Sequence, residues 1–433
     1  MTDSNKSIKS IILAAGKGTR MKSETPKVLH KIFNKELLGY VIDAVNDTGM
    51  AKENFVIVGH CAEEVEAYVS KNYQNAKCRL QSPQLGTGHA AYQAYEDLKG
   101  FDGEVLILCG DTPLITSDTL NKFIEAHRQN NCALTVMSAI FDDPTNYGRI
   151  VRDEHGDLKA IVEEKDASDA QKKIKEINTG VYLIDWAKVH EAFLNLDSDN
   201  AQNEYYLTDI VKWTIKQGLK AQSYILENNE ESYGINSKKH LAQATKILKD
   251  RVLEKLLADG VTIVDPDTTY ISPETEIEAD TIIYPCTYIE GKNKIAKDCK
   301  IGPYARIRGG VELGEGVKIG NFVEIKKSKI KAHTNVSHLS YIGDSSLGEH
   351  VNIGAGTITA NYNHITKEKF ETVVEDNAST GSNSVLVAPV KIGQNASVGA
   401  GSVISKDVEA GALGITRAPL KILQGWFERC KKQ

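Results

Sequence analysis

The sequence predicts two domains of different architecture: an α/β domain with a mostly parallel sheet and, after it, a parallel β-helix. Three observations predict this. Short β-rich apolar runs alternate with helical patterns from residue 8 to about 230, the order that gives a parallel sheet with helices on both faces. One long amphipathic segment follows. Beyond it a single aliphatic residue recurs every six positions. The 433 residues also exceed what one ordinary core organises.

In the first domain, 1–236, the runs 8–13, 55–58, 104–109 and 133–138 read as strands. The segments 37–46, 63–71 and 89–98 read as the helices between them. Ligands of such sheets sit beyond the carboxyl ends of the strands. In 237–260, Leu241, Leu248, Val252 and Leu256 follow helical spacing with charge opposite, and Gly260 is a helix stop. This predicts a linker helix leading to a second domain, 261–433.

There the period becomes six. Ile271, Ile277, Ile283, Ile289, Ile295, Ile301, Ile307, Leu313, Ile319 and Ile325 are successive steps. The phase slips, continues through Ile330, Val336, Ile342, Leu347 and Ile353, and resumes at Val374, Thr380, Leu386, Ile392, Val398 and Ile404. Neither a helix nor a flat strand buries such a repeat on one side. A solenoid does, with one inward aliphatic per strand and three strands per coil. The ladder is interrupted between about 359 and 374, where a loop leaves the stack toward a neighbouring subunit.

Composition narrows the function. The formal charge of -6 disfavours generic nucleic-acid binding. No apolar stretch reaches the roughly 18 residues of a membrane span, and the run 11–15 is too short for a signal segment. The seven cysteines form no C-x-x-C and read as reduced thiols of a cytoplasmic protein.

The segment Leu13-Ala14-Ala15-Gly16-Lys17-Gly18-Thr19-Arg20-Met21 directly follows the first strand, with Pro26-Lys27 downstream. Small residues let backbone N–H groups approach a triphosphate, and Lys17, Arg20 and Lys27 add positive charge. It is neither the dinucleotide G-x-G-x-x-G nor the P-loop. The string resembles the sugar-1-phosphate nucleotidyltransferase family, which implies a Rossmann-like fold and in-line attack of a sugar phosphate on the α-phosphorus of UTP. Gln81 and Gly86-Thr87 then match the base-reading segment. Asp111, otherwise readable as a helix N-cap, matches a Mg²⁺ ligand together with Asn236. Gly148, Glu163 and Asn178 lie in strings that match the sugar pocket, though each taken singly reads as a surface turn. Catalysis is implied to be positioning plus charge neutralisation by Mg²⁺, Arg20 and Lys27.

In the second domain Arg308, Lys326 and Tyr341 recur at about one coil and are expected to stack near one edge, where two cations and a phenol suit a sugar phosphate. His338 is the candidate base, since acetyl transfer to an amine must remove an ammonium proton. A zinc site at His333, His350 and His364 has no supporting spacing. The repeat resembles the hexapeptide family, which implies a left-handed winding. Together with Asn361-Tyr362, Gly381-Ser382 and Gly399-Ala400, the chain resembles the bacterial bifunctional N-acetylglucosamine-1-phosphate uridylyltransferase and glucosamine-1-phosphate N-acetyltransferase family. That resemblance implies Arg308, Lys326, Tyr341 and Asn352 at the sugar phosphate. It implies Ala355, Asn361, Tyr362, Ser382, Ala400 and Arg417 at acetyl-CoA, in a homotrimer. The substrates implied are UTP, N-acetylglucosamine 1-phosphate, glucosamine 1-phosphate and acetyl-CoA. Gly309 replaces a usual proline, Asn363–Glu368 replaces a shorter turn, and the ladder before Arg308 is a coil or two short. The alternative is a single-activity uridylyltransferase with a structural β-helix.

Overall fold

The computed structural model describes residues 6–431, which divide after Ile247 into two compact units. The division falls inside the helix Lys238–Ala258.

The first unit is built on one sheet. Its strands run in the order Ala221–Ile225, Leu134–Ile140, Glu176–Asp185, Glu104–Cys109, Ile8–Leu13, Ala51–Val58 and Ala76–Leu80. Along that order pairing is parallel except at Glu176–Asp185, which runs antiparallel to both neighbours, and Arg149–Arg152 and Leu158–Val162 join the same sheet by antiparallel pairing. Alternate residues of the central strands enter separate cores. Ile12, Val56 and Leu108 pack on one face, and Ile11, Phe55 and Ile107 on the other. Burial on both faces accounts for the unbroken apolar runs. The expected helix 89–98 is shorter and split. Thr87–Tyr92 is α-helical, and the chain then tightens into i→i+3 bonds, with Tyr92 stacked on Tyr95 at 5.3 Å.

The linker helix buries Ala244, Lys249, Leu253 and Leu256, so its inward stripe is displaced from the expected one. Leu248 and Val252 are only half-buried. The Lys249 ammonium makes this offset tenable by donating to the Pro266 carbonyl at 3.0 Å. Gly260 follows the helix at φ 92°, a left-handed stop.

The second unit is a three-sided coil. Strands pair in parallel with the strand three further on, forming sheets of nine, eight and seven strands. Every aliphatic of the six-residue ladder, and Thr380, is buried in the resulting prism. Each such burial contributes roughly 1.5–3 kcal/mol relative to exposure. The phase slips have a structural cause. Ile307 pairs with Ile325 a full coil on, but Ile325 pairs with Ile342, one residue sooner. The shortened corners hold the buried Ser328 and Ser345, whose hydroxyls donate to the Lys326 and Gly343 carbonyls at 2.9 and 2.8 Å. Adjacent coils touch backbone to backbone. A Cβ on Gly320 would lie 1.8 Å from the Ser337 carbonyl oxygen. Gly320→Ala is therefore expected to cost about 3 kcal/mol, read as a lowered midpoint in chemical denaturation.

The interruption is a hairpin. The Phe370 N–H donates to the Asn361 carbonyl and the Asn363 N–H to the Glu368 carbonyl, each at 2.9 Å, and Ile365 is exposed at its tip. Among the described residues no helix is long and apolar enough to cross a membrane. None of their His, Cys, Asp and Glu side chains form a group of three suited to a metal ion.

Candidate active sites

The first strand ends at Leu13, where the backbone turns outward. The Ala14 N–H donates to the Ile57 carbonyl at 2.8 Å, and the His60 N–H to that of Ala15 at 3.2 Å. A Cβ on Gly16 would meet nothing within 4 Å, so the loop faces open space. Gly18 does the opposite. It sits at φ 58°, and a Cβ there would lie 2.7 Å from Cβ of Lys27. Glycine thus lets the Lys27 stem lie against the loop that follows the first strand.

A cavity of about 530 Å³ opens here, lined by Leu13, Ala14, Ala15, Gly16, Lys17, Lys27, Gln81, Gly86, Thr87, Cys109 and Asp111. The Gln81 amide donates to the Gly86 carbonyl at 2.9 Å, and the Thr87 hydroxyl accepts from the Leu207 N–H at 3.1 Å. These bonds fix the loop that follows the strand Ala76–Leu80. Gln84, not singled out from the sequence, donates to the Ala15 carbonyl at 2.5 Å and ties that loop to the one after the first strand.

Asp111 lies just beyond the strand Glu104–Cys109. It is not a helix cap; Thr116 caps Ser117–Gln129. The Ile235 N–H donates to the Asp111 carbonyl at 2.8 Å, placing Asn236 beside it. The Lys27 ammonium ion-pairs with Asp111 and donates to the Asn236 side-chain oxygen at 3.2 Å. Asp111, Asn236 and Lys27 therefore share one point. Arg20 is not among the residues lining that cavity. It lines a second one, of about 560 Å³, with Asn236, Tyr147 and His240.

The strings around Gly148, Glu163 and Asn178 are not surface turns. Gly148 precedes the strand Arg149–Arg152, Glu163 follows Leu158–Val162, and Asn178 lies within Glu176–Asp185. Pairing among these strands draws the three together. The Asn178 N–H donates to the Gly148 carbonyl at 2.8 Å. A Cβ on Gly148 would sit 3.5 Å from both Asn178 Cβ and Glu163 Oε1. Burial pushes the Glu163 carboxyl above its usual range, and burial, then Asp111, pushes the Cys109 thiol up to about 12. A raised carboxyl costs stability once it ionises in the fold and costs nothing below its unfolded pKa. Glu163→Gln should accordingly melt higher than the parent near neutral pH. The gap should close as pH falls through the carboxylate range, measured by thermal scans across pH.

In the second unit the coil register sorts the candidates into two edges. Along the corner between the first and second faces, Asn321 pairs with His338. The same position in later coils is Ala355, Ser382 and Ala400. The Gly356 N–H donates to the His338 carbonyl, that of Asn383 to Ala355 and that of Gly401 to Ser382, at 2.7–3.1 Å. His338 is exposed, and its Nδ1 lies 2.9 Å from the Asn321 side-chain oxygen. In the coils above it the same position carries the small side chains of Ala355, Ser382 and Ala400, and Arg417 is exposed.

The other edge, between the second and third faces, carries the cations. Arg308 pairs with Lys326, and Lys326 with Gly343. Tyr341 starts the same strand as Gly343 and lies back over it: a Cβ on Gly343 would be 2.4 Å from the Tyr341 hydroxyl and 2.8 Å from the Asn361 amide nitrogen. The phenol thus occupies the next rung above Lys326. Asn361 in turn donates to Asp344. Lys369 was not legible from the sequence. The bridge between Tyr362 and Lys369 folds it back onto this edge, and its contact, then burial and Arg308, lowers the Lys326 ammonium pKa. Asn352 lies on the first face, between Asn335 and Ser379. Within one chain, His338 and the cationic rungs stand at opposite ends of the second face, five residues apart, or roughly 15 Å of extended backbone.

Comparisons with known proteins agree with both units. The family profile described as Nucleotidyl transferase matches residues 9–235, and that described as Bacterial transferase hexapeptide (six repeats) matches 294–327 and 371–406. The Bifunctional protein GlmU of Caldanaerobacter subterraneus subsp. tengcongensis is 46% identical, the alignment covering 98% of each chain. That of Thermoanaerobacter pseudethanolicus is 45% identical, again over 98% of each, and that of Alkaliphilus metalliredigens is 41% identical over 98% of each. The chain belongs to the GlmU family. As a GlmU-type protein it is a bifunctional enzyme, a uridylyltransferase and an acetyltransferase, and the reading of its β-helix as only structural falls.

Proposed function

We propose that the two activities occupy the two sites just described and act in sequence. The β-helix acetylates glucosamine 1-phosphate with acetyl-CoA. The first unit joins the product to UTP and releases pyrophosphate.

At the β-helix, the observation that carries the reading is the single column of Asn321, His338, Ala355, Ser382 and Ala400. A base at the foot of a column of small side chains suits a long thioester laid along the coils. With the Asn321 oxygen accepting from Nδ1–H, Nε2 is free to take a proton. The sugar amine attacks the thioester carbonyl carbon, the C–N bond forms and the C–S bond breaks. The ammonium proton passes to His338 and the leaving thiolate is protonated. Arg308, Lys326 and Tyr341 hold the phosphate. Because these rungs and His338 lie at different edges of one chain, the reading takes the working unit to be a homotrimer, the His338 edge of one chain facing the cationic edge of the next. Asn352 and Arg417 complete the sugar-phosphate and acetyl-CoA contacts.

In the first unit, Leu13–Gly16 with Lys17 cradle the triphosphate, Gln81, Gly86 and Thr87 read the base, and Gly148, Glu163 and Asn178 hold the sugar. The sugar phosphate is already a nucleophile at neutral pH, so this site needs no base; Arg20 and Lys27 offset the charge that builds on the phosphates. Asp111 and Asn236 fit a Mg²⁺ ion: two hard oxygens already converge on one cation, the Lys27 ammonium. When bound, the ion would add charge neutralisation at the phosphates. The protein is taken to work in the cytoplasm.

The test is to assay each half-reaction separately. Thiol release from acetyl-CoA with glucosamine 1-phosphate, and pyrophosphate release from UTP with N-acetylglucosamine 1-phosphate, are both expected. No thiol release from a folded assembly would overturn the acetyl-transfer reading.

A further inference from the structure

We infer that Lys27 is a plug in the divalent-cation site, which stays closed until a triphosphate draws the lysine away. The inference rests on the proposed metal role of Asp111 and Asn236.

Three features of the site carry it. First, the ammonium bonds both oxygens at once: it ion-pairs with Asp111 and donates to Asn236 at 3.2 Å. An ammonium and a divalent ion cannot occupy one point, and each repels the other there. Secondly, the position is built. The Lys27 and Asp111 side chains retain only 15% and 14% of their accessible surface, so water does not screen the pair as it would at a surface. The Lys27 stem is pressed against Gly18, where any Cβ would stand 2.7 Å away. Thirdly, Lys27 has somewhere to go. It lines the same cavity as Gly16 and Lys17, where the loop faces open space and a triphosphate would offer several oxygens in exchange for two.

The consequence is an order of events. Without nucleotide the oxygens are satisfied internally and metal binds weakly. A bound triphosphate takes the ammonium, frees Asp111 and Asn236, and lets the ion enter beside the phosphates it will neutralise.

The test is Mn²⁺ binding to the full chain without nucleotide, followed by electron paramagnetic resonance. Lys27→Met is expected to bind Mn²⁺ at least about tenfold more tightly than the parent. Lys17→Met, which removes an equal charge from the same cavity, is expected to change affinity far less. Adding Asp111→Asn to Lys27→Met is expected to abolish the gain. Equal affinities of the parent and Lys27→Met, with binding still lost on Asp111→Asn, would overturn the plug while leaving the metal site standing. A matching gain in Lys17→Met would overturn it too, by showing general repulsion. Tight binding that ignores Asp111→Asn would overturn both the plug and the proposed metal role. Thermal melts of each variant establish that the folded protein is being titrated.

Discussion

His338→Ala is expected to slow acetyl transfer by roughly 10²–10⁴-fold, the usual contribution of a positioned base, and to leave pyrophosphate release unchanged. The side chain is exposed at a corner, so its removal opens no cavity, and the one partner it frees, the Asn321 oxygen, sits in an exposed hydrogen bond. Stability should stay within about 0.5 kcal/mol of the parent, and a melt would verify it. The loss should be smaller at high pH, where more of the sugar amine is neutral before attack and hydroxide can take the proton released on C–N bond formation. Paired assays of thiol and pyrophosphate release on one preparation measure both effects. A parallel fall in the two activities would mean that the variant acts through folding or assembly.

Asp111→Asn is expected to do the reverse. The substitution keeps the shape of the side chain but removes the charge that the Lys27 ammonium faces and that a divalent ion would need. Electrostatic stabilisation of this kind supplies several kcal/mol to a phosphoryl-type transition state, so uridylyl transfer should fall at least about 10³-fold. Thiol release should be untouched. The Asp111 backbone carbonyl still accepts from Ile235, so the connection to Asn236 survives the change. Raising the Mg²⁺ concentration should recover part of the activity, because a weakened site can be filled by mass action. Initial rates over a Mg²⁺ series check this.

Much of the β-helix is legible in the sequence because one residue in six meets one demand, to be aliphatic and inside. The register bears this out from Ile271 to Ile404. Where the period slips, the pattern reports something besides packing. The short corners at Ser328 and Ser345 follow Lys326 and Gly343, and the hairpin starts at Asn361, so all three irregularities fall on the cationic edge. Local rules giving way at candidate sites is a general tendency. Three things resist local reading. Gly148, Glu163 and Asn178, matched to a sugar pocket by resemblance, read singly as turns because the antiparallel pairing that gathers them is a long-range property, invisible to local periodicity. Lys369 returns to the edge only through the bridge to Tyr362, and a lysine in a polar loop carries no signal of its own. The inward stripe of the linker helix keeps the expected Leu256 but buries Lys249 and Leu253 more fully than Leu248 and Val252, because a buried lysine breaks the expectation that inward residues are apolar.

The most direct measurement mixes two defective chains. His338→Ala and Lys326→Ala damage different edges, and each alone should be poor in acetyl transfer. Co-expressed, they should form mixed assemblies in which roughly a quarter of the sites draw a native His338 from one chain and a native Lys326 from its neighbour. Recovery of thiol release well above either variant alone is the predicted result. Mixed assemblies, demonstrated by native mass spectrometry, that remain as inactive as their parents would contradict a site built across two chains.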